Sequence, residues 1–153
     1  MKRGIAVAVA VLVLAIALVV AFGGKGGILP YIPQDAGLKT ISTNGTFVHV
    51  WVADTPDAQA KGLGDREAIA ADQGMLFVFP KSDYYAFWMK DMHFPIDILW
   101  INTSGVVVDL RQNVSPESYP KVFYPKTQAL YVLEVQAGFS EQNNVEIGSH
   151  VSL

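Results

Sequence analysis

The stretch YYAFWMKDMHFPIDILW, residues 84–100, concentrates the side chains that could do chemistry: Met89, Met92 and His93 within five residues, Lys90, Asp91 and Asp97, and two indoles, Trp88 and Trp100. Thioether and imidazole donors beside an indole suit Cu(I), a soft ion. Side chains alternate faces along a strand, so Met89 and His93 could share one face, and Trp88 and Met92 the other. The same residue types also fill an ordinary core, which is the simpler reading. Asp91 and Asp97 form a conceivable carboxylate pair for acid–base or glycosidic work, though residues between two strands are often of this kind.

Asp97 raises a separate question, because every neighbour in Pro95–Ile101 is apolar. A carboxylate buried there must be paired or hydrogen-bonded, with Lys90, Arg66 or backbone amides as partners. It is either a structural tie or a polar group aimed into a pocket lined by Trp88 and Trp100. Glu134, inside Tyr131–Val135, poses the same choice, although alternation can place it on a wet face with Val132.

Other templates are missing. The 153 residues contain no cysteine, which removes thiol nucleophiles, disulfides and a lipidated-cysteine anchor. No GxSxG, HExxH or HxH pattern occurs, and His49, His93 and His150 are widely separated. The three Asn-x-Ser/Thr triplets at Asn44, Asn102 and Asn113 read as turn chemistry unless the host glycosylates exported proteins. No cofactor is implied, and the metal donors are only the weak set Met89, Met92 and His93.

The elements that must carry these residues divide the chain in three. Residues 1–22 open with Lys2 and Arg3, followed by the unbroken apolar run Ile5–Phe22. Eighteen helical residues span about 27 Å, near the thickness of a bilayer's hydrocarbon. An N-terminal transmembrane anchor is expected, with a cleaved signal peptide as the alternative. The positive-inside preference then puts the N-terminus in the cytoplasm and the rest outside a cell membrane. Residues 23–37, GGKGGILPYIPQDAG, read as a tether of glycine and proline without phosphate-loop spacing. Without Lys2 and Arg3 the remainder has nine basic against fourteen acidic side chains, which argues against nucleic acid and anionic lipid surfaces.

Residues 38–153 show mostly two-residue periodicity and predict a mainly β (α+β minor) domain, a compact antiparallel small barrel or sandwich with one or two short helices. Strands are expected at Thr46–Ala53, Met75–Phe79, Tyr85–Met89, Ile98–Asn102, Val106–Leu110, Leu130–Val135 and within Val145–Leu153. Thr55 followed by Pro56 predicts a helix start, and Gly105 a hairpin turn. Asn113–Lys126, with Pro116, Pro120 and Pro125, reads as a long loop.

The blocks KGLGDREAIAADQGMLFVFP, FWMKDMHFPIDILWINTSGVVVDL, ALYVLEVQAG and the late NVEIGSHV, in this order, resemble the prokaryotic family called domain of unknown function 192. The resemblance covers roughly Thr46–Leu153. It implies a small mainly-β fold, often exported or membrane-tethered, without an established activity. The pattern falls on Gly62, Leu63, Arg66, Gly74, Met75, Phe77, Phe87, Trp88, Met89, Lys90, Pro95, Asp97, Tyr131, Leu133, Glu134, Ala137 and Gly138. It departs at Asp91, Met92 and His93, which weakens a copper site and turns attention to Arg66, Lys90, Asp97 and Glu134.

The expectation is therefore a membrane-tethered extracytoplasmic module that binds rather than catalyses. Its candidate ligand residues are Arg66, Trp88, Lys90, Asp97, Trp100 and Glu134. A hydrolase-type enzyme using Asp97 with Asp91 or Lys90 is the alternative, and Cu(I) binding by Met89, Met92 and His93 a minor one.

Overall fold

The computed structural model describes residues 37–153. The expected anchor (1–22) and, apart from Gly37, the expected tether (23–37) lie outside the described residues. Among the described residues no helix is long and apolar enough to cross a membrane.

Seven strands form one sheet: β1 (Lys39–Thr43), β2 (Thr46–Ala53), β3 (Gln73–Asp83), β4 (Ile96–Ile101), β5 (Val107–Val114), β6 (Ala129–Gln136) and β7 (Val151–Ser152). Their spatial order is β5-β4-β6-β3-β2-β1-β7. The sheet curls until its two edges meet in a bridge between Val106 and His150, backed by Val107 N–H donating to Ser149 O at 2.9 Å. The mainly β expectation holds, as one curled sheet rather than a two-sheet sandwich. It is not wholly antiparallel either, since β2 and β3 run parallel. A parallel neighbour needs a crossover. Residues 54–72 provide it and carry helix α1 (Pro56–Lys61), whose cap Thr55 Oγ1 accepts from Ala58 N–H at 3.3 Å.

Local chemistry explains the turns. Asn44 and Gly45 both have positive φ, as a two-residue hairpin between β1 and β2 requires. Gly105 (φ 76°) closes the β4–β5 turn, where Asn102 Oδ1 accepts from Ser104 and Val106 N–H groups. One expected strand is absent: Tyr85–Met89 is irregular, with a single bridge from Phe87 to Phe123. Five aromatic or apolar residues there mimic a strand, but they form the inner layer of a covering segment instead.

Alternation sorts the core into two clusters. One face, to which all seven strands contribute, is the interior of the curl and includes Ile41, Val48, Val50, Leu76, Leu99, Leu133 and Val151. The other includes Met75, Phe77, Ile98, Trp100 and Val132, and is covered by Phe87 and Met89 of the 84–95 segment and Leu63 of the crossover. β4 lies between the two layers, so all six of its residues are buried.

Asp97 is one of the six. It faces the interior side, with Leu99 and Ile101, and is completely buried. Its Oδ1 accepts from Asn113 N–H at 2.8 Å and Gly138 N–H at 3.3 Å, and its Oδ2 accepts from Ser140 N–H at 2.9 Å. Among the described residues no cation pairs with it. The carboxylate thus pins the end of β5 and the start of helix α2 (Phe139–Gln142) to strand β4. Replacing Asp97 with Ala strips three backbone donors, the buried Ser140 N–H among them, of a charged acceptor and should cost about 3–5 kcal/mol. Asp97→Asn, which keeps one acceptor oxygen, should cost less. Urea unfolding of both variants checks this, and a loss below about 1 kcal/mol for Asp97→Ala would refute the pinning role.

Candidate functional site

A pocket of about 480 Å³ opens on the covered face, between the end of α1, strand β3 and the 84–95 segment. That volume is in the range of small-molecule sites. One side is the turn from Gln59 to Asp65, and the other runs from Tyr85 to Met92. Phe77, Phe79 and Glu134 project from the sheet between them.

Each wall has a local reason. Gln59 Nε2 donates to Val78 O at 2.9 Å and to Ala53 O at 3.3 Å, tying α1 to the sheet. Gly62 then turns with φ 54° and ψ −137°, a conformation open to glycine. A Cβ at Gly62 would lie 3.3 Å from the tip of Phe77 and 3.8 Å from Glu134 Oε2, so the absent side chain leaves room over the carboxyl. The opposite wall hangs on Phe87, which exchanges backbone hydrogen bonds with Phe123 at 3.0 and 2.8 Å. Its ring meets Phe77 and Trp100 edge-on, with centroids at 4.9 and 5.9 Å. Tyr85 stacks on Phe79 at 3.5 Å, and its hydroxyl donates to Lys81 O at 2.7 Å.

Support for this wall extends to β5. The buried Asp109 accepts from Leu110 N–H, from Lys126 N–H at 2.7 Å and from Arg111. Arg111 in turn donates to Tyr124 O at 3.2 Å and lies over the Trp100 ring, 5.8 Å from its centroid. Asp109 therefore holds the loop that presents Phe123. Nothing in the local sequence marks it, because its partners are drawn from a loop that closes only in the fold.

Six residues were expected at a ligand site, and the structure separates them. Trp88 and Lys90 line the pocket; Trp88 is half exposed and Lys90 pairs loosely with Asp91 at 3.9 Å. Glu134 also lines it. Trp100 lies beneath the wall and positions it, donating from Nε1 to Tyr85 O at 2.8 Å. Arg66 is outside the lining, with its guanidinium 3.8 Å above the Trp51 ring. Asp97 lies on the opposite face of the sheet. Of the donors considered for copper, Met89 is sealed in the core, Met92 lines the pocket and His93 is exposed. Among the described residues no group of three His, Cys, Asp or Glu side chains is arranged to hold a metal.

Of the two readings open for Glu134, the structure rules out the wet face. The residue does share a face with Val132, but the 84–95 segment and the crossover cover that face, and Glu134 is only 4 % exposed. Its Oε2 has no hydrogen-bond partner. Desolvation pushes the carboxyl up to about 8, so it is mostly protonated at neutral pH.

The raised value has a definite consequence for stability. Unfolded Glu134 ionises near 4.5 while the folded group keeps its proton to about 8, so the folded state binds more protons in between. Stability from this residue is full below pH 4.5 and declines as pH rises towards 8, by a few kcal/mol in all, about 3–5 kcal/mol. Glu134→Gln should flatten that decline, matching the parent near pH 5 and exceeding it at pH 8. Melting temperatures of both proteins from pH 4 to 9 test it, and parallel curves would contradict it.

Comparison with known proteins places the fold and the family. No curated protein matches the chain. A solved protein from Sinorhizobium meliloti 1021, described as a suspected transcription regulator, is 30% identical over 69% of this chain and 81% of its own, with a TM-score of 0.67. A protein of unknown function from Novosphingobium aromaticivorans DSM 12444 shares the fold with a TM-score of 0.73, at 24% identity, covering 86% of this chain and all of its own. The pocket turn around Gly62, the wall Phe87–Lys90, the pinning Asp97 and the floor Glu134 all fall within residues 39–153, which match DUF192, described as Uncharacterized ACR, and the chain belongs to that family.

Proposed function

We propose that this chain is a binding module that holds a small molecule, or a partner's side chain, in the pocket above Glu134. One observation carries the reading: an unpartnered, buried carboxyl at the floor of a pocket walled by Phe77, Phe79, Tyr85, Phe87 and Trp88. A buried polar group without a partner is costly, and a ligand group is what would satisfy it. The lining contains no serine, threonine, cysteine or histidine, so it offers none of the hydroxyl–imidazole or thiol–imidazole pairs used for acyl transfer. The half-exposed Trp88 gives the rim an apolar contact surface. The apolar run Ile5–Phe22 supports a role as a tethered module facing away from the cytoplasm. The acidic balance favours a small-molecule or protein ligand over nucleic acid, so the regulator description of the Sinorhizobium protein is not extended to this chain.

The test is a titration of the full chain in non-ionic detergent with four- to eight-carbon amines, carboxylates, alcohols and amides. Binding is read from tryptophan emission and melting temperature. A ligand at a hundred times its Kd should stabilise the fold by about 2.7 kcal/mol. Ala86→Trp, which adds bulk inside the cavity, should abolish that gain, and Trp88→Phe should remove most of the emission change. Failure of every compound class to give a saturable response would sink the reading. Retention in the membrane fraction, lost on deletion of residues 5–22, tests the tether.

A further inference from the structure

We propose that the pocket selects an organic cation: a primary ammonium on a short apolar stem, which donates to Glu134 Oε2 while the stem lies among Phe79, Tyr85 and Trp88. This rests on the binding reading above and states what kind of molecule that site takes.

Three features carry it. First, Glu134 is the only acid at the floor, and its Oε2 lacks a partner. Among the described residues no cation pairs with it. An ammonium has three donors and no acceptor, so it complements the carboxyl at the floor in both charge and hydrogen bonding. Second, the walls are aromatic. Ring faces carry negative charge density and attract cations, most strongly at tryptophan, and the half-exposed Trp88 is part of the lining. Third, the remaining charges cancel at the mouth. The crossover contributes Lys61 and Asp65; the covering segment contributes Lys90 and Asp91, which pair with each other. Tyr85 is the other titratable group in the lining, and its hydroxyl is engaged by Lys81 O. Phe77 and Phe79 of β3 and Ile98 of β4, opposite Glu134 in the sheet, carry no charge. The field at the floor is therefore set by Glu134. An anion would meet like charge or an acid proton there, and a neutral acceptor would engage the proton but leave the ring faces unused.

The charge state makes the idea measurable. In the empty pocket Glu134 holds its proton up to about pH 8. An ammonium must displace that proton, so each binding event below pH 8 releases one proton to solvent. Affinity should then rise about ten-fold per pH unit up to that point, because an alkylammonium stays charged to about pH 10.

The experiment is calorimetry on the full chain in non-ionic detergent at pH 6, 7 and 8, in two buffers of different ionisation enthalpy. Probes are n-pentylammonium, its neutral counterpart 1-pentanol, the anion hexanoate, and Nα-acetyl-lysine methylamide as a mimic of a polypeptide lysine. The expected result is n-pentylammonium at least about ten-fold tighter than 1-pentanol and hexanoate at pH 8, with affinity rising with pH and proton release falling from about one at pH 6 to about one half at pH 8. Glu134→Gln should erase the preference and the proton release while 1-pentanol still binds; Trp88→Ala should weaken the ammonium several-fold with Glu134 intact. A lysine mimic that binds as well as the free amine makes the ligand a polypeptide side chain, and one that does not makes it a free amine. Tighter binding of 1-pentanol or hexanoate, or ammonium affinity that falls with pH, overturns the cation proposal and leaves the binding reading standing. Absence of binding by all four probes overturns both.

Discussion

The register between β4 and β6 is the constraint on which the rest of the molecule depends. Asp97 lies opposite Val135, and Ile98 lies opposite Glu134. Two acids one cross-strand step apart are thereby sent to opposite faces of one sheet. On the interior face Asp97 meets three backbone N–H groups and becomes a fastener. On the covered face Glu134 meets aromatic rings and an opening, and its Oε2 goes unsatisfied. Because side chains alternate with period two, a slip of one residue would bring Asp97 opposite Glu134, put both acids on one face and turn apolar neighbours to the wrong side. The Asp97 bonds oppose such a slip, so the satisfied acid stabilises the register that leaves the other acid exposed to a ligand.

Much of the scaffold was legible because its signals are local. Thr55-Pro56 predicts the start of α1, Gly105 the β4–β5 turn, and TFVHVWVA the strand β2, and each depends on residues a few positions apart. The site was only half legible. Trp88, Lys90 and Glu134 were singled out and do line the pocket, whereas Asp97, Trp100 and Arg66 serve elsewhere. Alternation tells which residues share a face but not what covers that face. For Glu134 the sequence left a wet face and a pocket both open, because its cover, the 84–95 segment, comes from a distant part of the chain. Asp97 looked like a site residue for the same reason, since its partners lie 16 to 43 residues away. The Tyr85–Met89 segment misled in the other direction. A run of aromatic residues satisfies the composition of a strand, but its backbone pairs only once, through Phe87 and Phe123, and its rings act as a lid over β3 and β4.

The mouth of the pocket shows how such a lid is held open at a fixed width. Its two rims come from separate segments, and Asp65 N–H on one donates to Asp91 O on the other at 2.9 Å. Both residues have positive φ, 62° and 57°, and Gly62 adds a third at 54°. Left-handed backbone at a non-glycine residue costs free energy, roughly 1 kcal/mol or more, and persists where surrounding structure enforces it. Aspartate is among the residues that tolerate it best. At Gly64 the turn is closely packed, since an added Cβ would come within 2.9 Å of Lys61 O, so a side chain there would force the rim to shift. The two rims are thus braced against each other through one hydrogen bond between strained positions. Such bracing fixes the spacing of the two rims around the pocket that Glu134 floors. A cavity of fixed width, with an unpaired acid at its floor, is what a preorganised binding site requires, because the cost of ordering its walls is met by the fold before any ligand arrives.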